Sequence, residues 1–439
     1  MLQRLLFLRE GELGRLIPFF CLYLVLFSAL TLADGASLTL FLRHVGPAQL
    51  PAAYCLIALL NLGLIGWYVM RAEETGSGRV FATILLASVL AFLLGWAALK
   101  LGGGSGWYGL FFVCREVSFT LILMHFGTYL QDYFTRDEMN RVMAVVYSGG
   151  RVGGLLGSWA LEQLAGRMTL LDLALIFVVL CSLSLLLIRR IGRTLPPVSE
   201  ESGSDAGLVS PGEDRETLEL QARTSVAGFL RYVWLCPLLF WTTVTSILFV
   251  GCRWVLNYQY GHFLGSHFHD EVAMARFLGR YTQIALVVSL LMQVLVVNRL
   301  IARVGLKGAH FIYSVLLFGA AAWNLRTMTL AQALFSRLVE TELRFGLRNP
   351  VQQLIINRFS RSLRLRVRAW TLGLLVPGST LAGSLALGLA ARNGPGMVAW
   401  LGGLLGATYL ASCLALYGSF AEPTRASAEQ EPEPLRRAA

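Results

Sequence analysis

Long apolar runs separated by short polar connectors recur along the chain. The runs lie near Leu16 to Leu42, Leu50 to Met70, Val80 to Lys100, Trp107 to Leu130, Met139 to Ala165 and Leu170 to Ile188. After a polar interval they resume at Tyr232 to Tyr260, Val272 to Val297, Ala309 to Leu325, Leu330 to Ile356, Val367 to Ala391 and Met397 to Phe420. A helix of about 20 mostly apolar residues spans the hydrocarbon core of a bilayer. The pattern therefore predicts an all-α polytopic membrane protein with about twelve transmembrane helices.

The polar interval, Ile191 to Ser225, contains PPVSEESGSDAG and SPGEDRE, which are acidic and rich in Ser, Gly and Pro, too polar to fold alone. It divides the chain into a six-helix bundle over residues 1–190 and another over 226–421, with a polar tail over 422–439. The halves echo each other. Phe134, Arg136, Arg141 and Val142 recur as Phe359, Arg361, Arg366 and Val367 after a shift of about 225 residues, Gly153 recurs as Gly378, and Arg115 aligns with Glu340. Connectors holding Arg71 and Arg79, Arg136 and Arg141, Arg189 to Arg193, Arg299 to Lys307 and Arg358 to Arg368 alternate with connectors poor in basic residues. The bias of Lys and Arg toward cytoplasmic loops then places both termini in the cytoplasm.

Composition agrees with this pattern. Of 439 residues, 56% are hydrophobic and 14% charged, with mean hydropathy +0.61; a soluble protein carries about 25% charged residues. The formal net charge of +11 resides in the connectors, which argues against a nucleic-acid partner. The 7 cysteines sit singly in apolar runs and read as small buried hydrophobes. The first run is too long for a signal core and is read as the first span.

Charges at membrane depth are expensive and mark a pathway, a cavity or a helix contact. They concentrate in the first, fourth, fifth, seventh and tenth spans, at Asp34, Arg115, Glu116, Arg151, Arg253, Arg337, Glu340, Glu342, Arg344 and Arg348, with Asn257 beside them. The stretch Arg337 to Pro350 is the densest. On a regular α-helix Arg337, Glu340, Arg344 and Arg348 would share one face.

Two readings stand side by side. Arg115, Arg253, Arg344 and Arg348, with Asn257, present donors to an anionic small molecule, since planar guanidiniums suit phosphate and carboxylate. Alternatively each is neutralised by a neighbour, Glu340 by Arg337 and Arg344, Arg115 by Glu116; Arg348 has no acid at helical spacing. Asp34, Glu116, Arg337 and Glu340 are candidates for coupling or gating, with Asp34 the best placed to carry a proton.

Gly149, Gly153 and Gly157 form a small-residue face in the fifth span suited to close helix packing, with Gly378, Ala382 and Gly383 as its counterpart. Arg151, inside SGGRVGG, is read as reaching toward the cytoplasmic interface. His262, His267, His269 and Asp270 read as an ordinary solvated loop, so no metal is expected, and the sequence calls for no cofactor. No spacing of nucleophile and base suggests an enzyme.

Two parallel six-helix repeats around a central path constitute the major facilitator architecture. TLFLRHVGPAQLPAAY, FTRDEMNRVMAVVYSGGRVGGLLGS and LRNPVQQLIINRFSRSLRLRVRAWTLGLLVPGSTLAG resemble the ATP/ADP translocase-like nucleotide transporters of that superfamily. The resemblance implies a secondary transporter that exchanges or imports nucleotides by alternating access, with basic residues holding the phosphates. Because the chain has only two lysines, Lys100 and Lys307, both near helix ends, arginines would supply that charge.

The expectation is thus an organic-anion transporter in a bacterial inner membrane, acting as a monomer, with protons or a counter-substrate as coupling partner. A proton-coupled exporter of drugs or amphipathic metabolites is the alternative. A non-transporting scaffold using the acidic middle loop is a third reading.

Overall fold

A computed structural model describes residues 12–72, 76–134, 136–196, 221–222, 225–292, 298–326, 328–356, 359 and 361–419. Nearly all of these residues are helical. Helices α1 (Glu12–His44), α2 (Leu50–Ala72), α3 (Ser77–Lys100), α4 (Ser105–Gln131), α5 (Arg136–Leu164) and α6 (Leu173–Thr194) form the first half. Helices α7 (Pro237–His267), α8 (Glu271–Met292) and α9 (Asn298–Trp323) open the second. The rod α10 runs through Leu330–Leu338, Val339–Arg348 and Asn349–Ile356; α11 runs through Arg361–Arg368, Ala369–Leu375 and Val376–Arg392; α12 is Pro395–Ser419.

Eight helices among the described residues are long and apolar enough to cross a membrane: α1 to α4, α6, α7, α11 and α12. In α5 and α10 the interior charges lower the mean hydropathy; helical rods lie at the expected span positions, and eight of them, among the described residues, have the length and apolarity of a span. Most sequence boundaries hold to within a few residues, but α9 starts at Asn298 rather than Ala309, with a break at Gly305, α11 starts at Arg361 rather than Val367, α6 ends at Thr194 rather than Ile188, and the seventh span is divided. There the apolar run splits at Cys236–Pro237 into a separate short helix, Val226–Leu235, and α7. Proline has no N–H and its ring excludes the preceding turn, so it starts α7 rather than continuing the earlier helix.

The short helix is capped by Ser225, whose hydroxyl accepts the Gly228 N–H at 2.9 Å. It buries Phe229, Tyr232 and Val233 against Ile356, Phe359, Leu363 and Val367. Arg366 fastens the approach to it by donating to Ala222 O at 2.8 Å and Ser225 O at 3.2 Å. The rest of the interval over 197–220, the tail from 420, Arg358 and Gln293 lie outside the described residues.

The repeat read from the sequence has a physical basis in burial: Phe134 and Phe359, and Val142 and Val367, are all buried. The halves meet through equivalent pairs, α5 against α8 and α2 against α11. Within the first half α5 packs against α1 along Gly149, Gly153 and Gly157. A Cβ on Gly149 would stand 2.8 Å from Phe20 O, and Cβ atoms on Gly153 and Gly157 would collide with the Leu24 and Ser28 carbonyls. Only glycine permits so close an approach of two backbones.

The counterpart in α11 is partial. A Cβ on Gly383 would stand 3.2 Å from Gly251 Cα of α7, but a Cβ on Gly378 would meet nothing within 4 Å, so the repeated glycine has no packing role.

Polar contacts also join the halves at the end where α1 and α5 terminate. His44 Nε2 lies 2.7 Å from Glu271. Glu162 is 2.8 Å from Arg280 and accepts from Gln283 at 2.7 Å. Arg276 donates to Ala165 O at 3.1 Å. At the same end, outside the helices, Asp172 accepts from Thr169, Lys100 and Trp96. These three hold its carboxyl down to about 2. Of the residues expected in one loop, His262 and His267 lie on the last turns of α7 and only His269 and Asp270 fall between helices; no metal-holding group is found among the described residues, and Asp270 caps α8 by accepting the Ala273 N–H at 2.7 Å.

Candidate functional site between the two halves

The charged residues of α1, α4, α5, α7 and α10 converge where the halves face each other. Two features of the local sequence set their geometry. In α4, Arg115 and Glu116 sit on a regular α-helix, and the guanidinium pairs with Glu116 at 2.5 Å and with Asp34 of α1. In α10 the segment Val339–Arg348 is wound as a π-helix, closed by the Asn349 N–H on Arg344 O, five residues back. Such widened turns are rare and gather at functional sites. A second π segment, Ala369–Leu375, lies in α11, closed by the Val376 N–H on Thr371 O.

The widening changes which residues share a face. Glu340 and Arg344, which an α-helix would pair at four residues' separation, stand 4.0 Å apart. Glu340 instead receives Arg253 Nε of α7 at 2.5 Å and Arg337 Nη1 at 3.2 Å. One carboxylate, 1% exposed, is thus shared by three guanidiniums. Arg337 also donates to Asn257 Oδ1 at 3.2 Å and reaches Asp34 of the first half at 3.6 Å. Asp34 is therefore held between Arg115 and Arg337, one from each half. Its side chain is 30% exposed, as expected of a group facing a water-filled path rather than lipid.

Glu342 crosses the interface in the other direction, to Arg151 of α5 at 2.7 Å. Neither residue is among the substrate contacts expected from the sequence, which directs Arg151 toward the membrane surface; the structure places Arg151 in the interior, paired. No local pattern signals a contact between residues 191 positions apart. Of the residues expected together, Asp34, Arg115, Glu116, Arg253, Asn257, Arg337, Glu340 and Arg344 are brought to one cluster. Arg348 is not. Its guanidinium lies 3.5 Å from the Phe249 ring centroid, within the second half and behind the cluster.

Five guanidiniums (Arg115, Arg151, Arg253, Arg337, Arg344) stand with four carboxylates (Asp34, Glu116, Glu340, Glu342), an excess of one positive charge. The first half is balanced, Arg115 and Arg151 against Asp34 and Glu116. The second half carries the whole excess. Among the described residues, Arg344, 12% exposed in its side chain, has only the 4.0 Å ion pair with the shared Glu340, and it packs its guanidinium on Phe345.

No protein-family model matches the chain, and no curated protein matches it in sequence. Solved structures do match in fold. A variant of the nucleoside transporter NupG superposes with TM-score 0.64 at 13% identity, covering 93% of this chain and 100% of that one. A variant of the peptide transporter POT in complex with sulfate gives 0.60 at 13%, covering 92% and 94%. The xylose transporter XylE from E. coli, inward open, gives 0.56 at 14%, covering 90% and 95%. This is the major facilitator fold. The likeness extends to this architecture and not to the ATP/ADP translocase-like branch in particular. In that architecture the charge cluster lies where the two halves face each other.

Proposed function

We propose that the protein is a secondary active transporter that moves a small organic anion, a nucleotide or another phosphorylated metabolite, by alternating access. The observation that carries this reading is the sharing of Glu340 by Arg253, Arg337 and Arg344, which leaves cationic donors unsatisfied at the interface of the halves. A buried cation without its full complement of acceptors is costly. An incoming phosphate or carboxylate supplies those acceptors, with Arg344 and Arg253 as its contacts in the second half, Arg115 in the first and Asn257 beside them.

The same contacts couple binding to movement. A ligand shifts a conformational equilibrium only through differential interactions with the two states. An anion bridging Arg115 and Arg344 draws the halves together on one side. It also competes with Asp34 and Glu340 for their arginines. Asp34, between Arg115 and Arg337, and the Arg151–Glu342 pair are the contacts that opening must break, and a proton or counter-substrate acting at Asp34 would assist it. In this reading the chain forms twelve spans, with both termini cytoplasmic, in a bacterial inner membrane, and works as a monomer.

The test is uptake or exchange of labelled nucleotides and sugar phosphates by purified protein in liposomes. Transport by the wild type, abolished in Arg344→Met, is the expected result. Transport of an anion at the same rate in Arg344→Met overturns the site, and transport confined to neutral or cationic solutes overturns the substrate class.

A further inference from the structure

Behind the central cluster the second half contains a group of buried polar side chains that the transport reading does not use. Arg348 of α10 is 8% exposed, forms no ion pair among the described residues, and its Nε has no hydrogen-bond partner. One turn on, Gln352 is 7% exposed, and neither its Oε1 nor its Nε2 has a partner. From α9, His310 (5% exposed) has an unpartnered Nε2, and from α12 the fully buried Tyr409 brings its hydroxyl to the same place, beside Arg348 and Cys413.

These groups are neighbours. Arg348 sits on the Phe249 ring, Phe249 packs on Tyr409 at 6.0 Å between centroids, and the His310 and Tyr409 rings are 6.4 Å apart. Arg348 is close enough to perturb His310, Tyr313 and Tyr409 electrostatically.

Buried polar groups in native proteins are almost always hydrogen-bonded, and a buried charge is paired. An unpartnered glutamine amide, an unpartnered histidine nitrogen and a tyrosine hydroxyl, from three helices, surround one buried cation that has no acid among the described residues, and together they depart from both rules at the same place. Water could satisfy the neutral groups, but it leaves the Arg348 charge uncompensated in a low-dielectric interior. A single small anion satisfies charge and donors together: Arg348 Nε, Gln352 Nε2, Tyr409 Oη and His310 Nε2 as the N–H tautomer can all donate to it. The aromatic and aliphatic surroundings and the near-complete burial restrict its size, and the lone cation restricts its charge.

We propose that Arg348, Gln352, His310 and Tyr409 form a binding site for a small monovalent inorganic anion of halide size, between α9, α10 and α12 and separate from the substrate contacts. The anion neutralises Arg348 and ties the π-wound part of α10, which begins at Val339 and ends at Arg348, to the two helices behind it. The occupied site keeps α10 in register so that Arg344 faces the cavity.

The experiment is thermal unfolding of the full-length protein in detergent, with chloride or bromide exchanged for gluconate at constant ionic strength. A ligand that binds the folded state alone raises its midpoint in a saturable way. The wild type is expected to rise by roughly 2 °C or more. The rise is lost in Arg348→Met, saturates at a several-fold higher halide concentration in Gln352→Leu, and persists in Arg344→Met. Persistence in Arg344→Met separates this site from the substrate site, so loss of transport and loss of the halide effect can fail independently.

Should Arg348→Met not fold, diffraction from wild-type crystals grown in bromide decides, through an anomalous peak in contact with the Arg348 guanidinium. A midpoint indifferent to halide, a halide effect undiminished in Arg348→Met, or bromide-grown crystals with no peak at Arg348 overturns the proposal.

Discussion

Helices α4 and α10 occupy equivalent places in the two repeats and carry the interior charges, yet they are built differently. Arg115 on α4 stands on a regular α-helix, with Asp34 and Glu116 both on its guanidinium. On α10 a π-wound segment points Glu340 at Arg253 and Arg337 and leaves Arg344 at 4.0 Å. The first cluster is balanced in charge, and Asp34 reaches from it to Arg337 of the second, which is short of acceptors. The lesson is that near-repetition in sequence can separate two duties: one half supplies as many acceptors as cations, and the other supplies cationic donors in excess.

The largest expected effect breaks the crowded side. Glu340→Gln removes the carboxylate that three guanidiniums share. Stripping one partner from a buried ionic group costs about 3–5 kcal/mol, so the variant is expected to lose most of its thermal stability in detergent. Adding Arg253→Met should restore part of the loss by removing one of the stranded charges; a double variant no more stable than Glu340→Gln contradicts the sharing.

Next in size is the contact between α1 and α5. Gly153→Leu drives a side chain into the Leu24 carbonyl, and a loss of about 3 kcal/mol or more is expected from such overpacking, read as a fall in folded yield and melting midpoint. Gly378→Ala, at the repeated position in α11, meets nothing within 4 Å and should be neutral or slightly stabilising, since alanine suits a helix interior better than glycine by up to about 1 kcal/mol. Equal effects at the two glycines would remove the structural asymmetry between the halves.

A third comparison sets Arg115→Met against Arg344→Met. The former leaves Asp34 and Glu116 facing each other without their shared cation and should destabilise by about 2 kcal/mol or more. The latter removes a cation that is already in excess and should cost under about 1 kcal/mol while abolishing anion transport. Melting midpoints and uptake measured on both variants check this.

These cases show how much could be read in advance. Apolar runs located the helical rods because burial in lipid imposes length and composition, and the small-residue spacing exposed the Gly149, Gly153 and Gly157 face because close packing has a fixed period. The densest charges were visible as residues that hydrocarbon would reject. Their pairing was not visible. Arg151 meets Glu342 across the interface of the halves, and Glu340 turns to Arg253 because α10 widens, a winding with no signature in the polar pattern. Arg348 looked free in sequence for the same reason that it is unpaired in the structure, but its place against Phe249 depends on how three helices pack.

The seventh span was misjudged because apolarity alone does not distinguish a spanning helix from Val226–Leu235, which buries Phe229, Tyr232 and Val233 and ends at the break before Pro237.

The smallest effect lies outside the membrane and serves as a contrast to both clusters. Asp172, held at about 2 against an ordinary value of 3.8, contributes stability that is present above pH 4 and lost as pH falls from about 4 toward 2. Because Lys100 and Asp172 are partly exposed, Asp172→Asn should cost under about 1 kcal/mol at neutral pH and flatten the acid limb of the stability curve. Melting midpoints of the two proteins between pH 2 and pH 7 check it.

The central claim is that the acceptor-poor face of α10 selects a negative charge. Its most direct test is binding of a nucleoside and its 5′-monophosphate, which differ only in that charge, to the wild type and to Arg344→Met, measured by the shift in melting midpoint or by calorimetry. The account predicts that the monophosphate binds the wild type at least about tenfold more tightly than the nucleoside, a difference of about 1.4 kcal/mol, and that Arg344→Met erases the preference. Equal affinity for the two compounds, or a preference that survives in Arg344→Met, would contradict it.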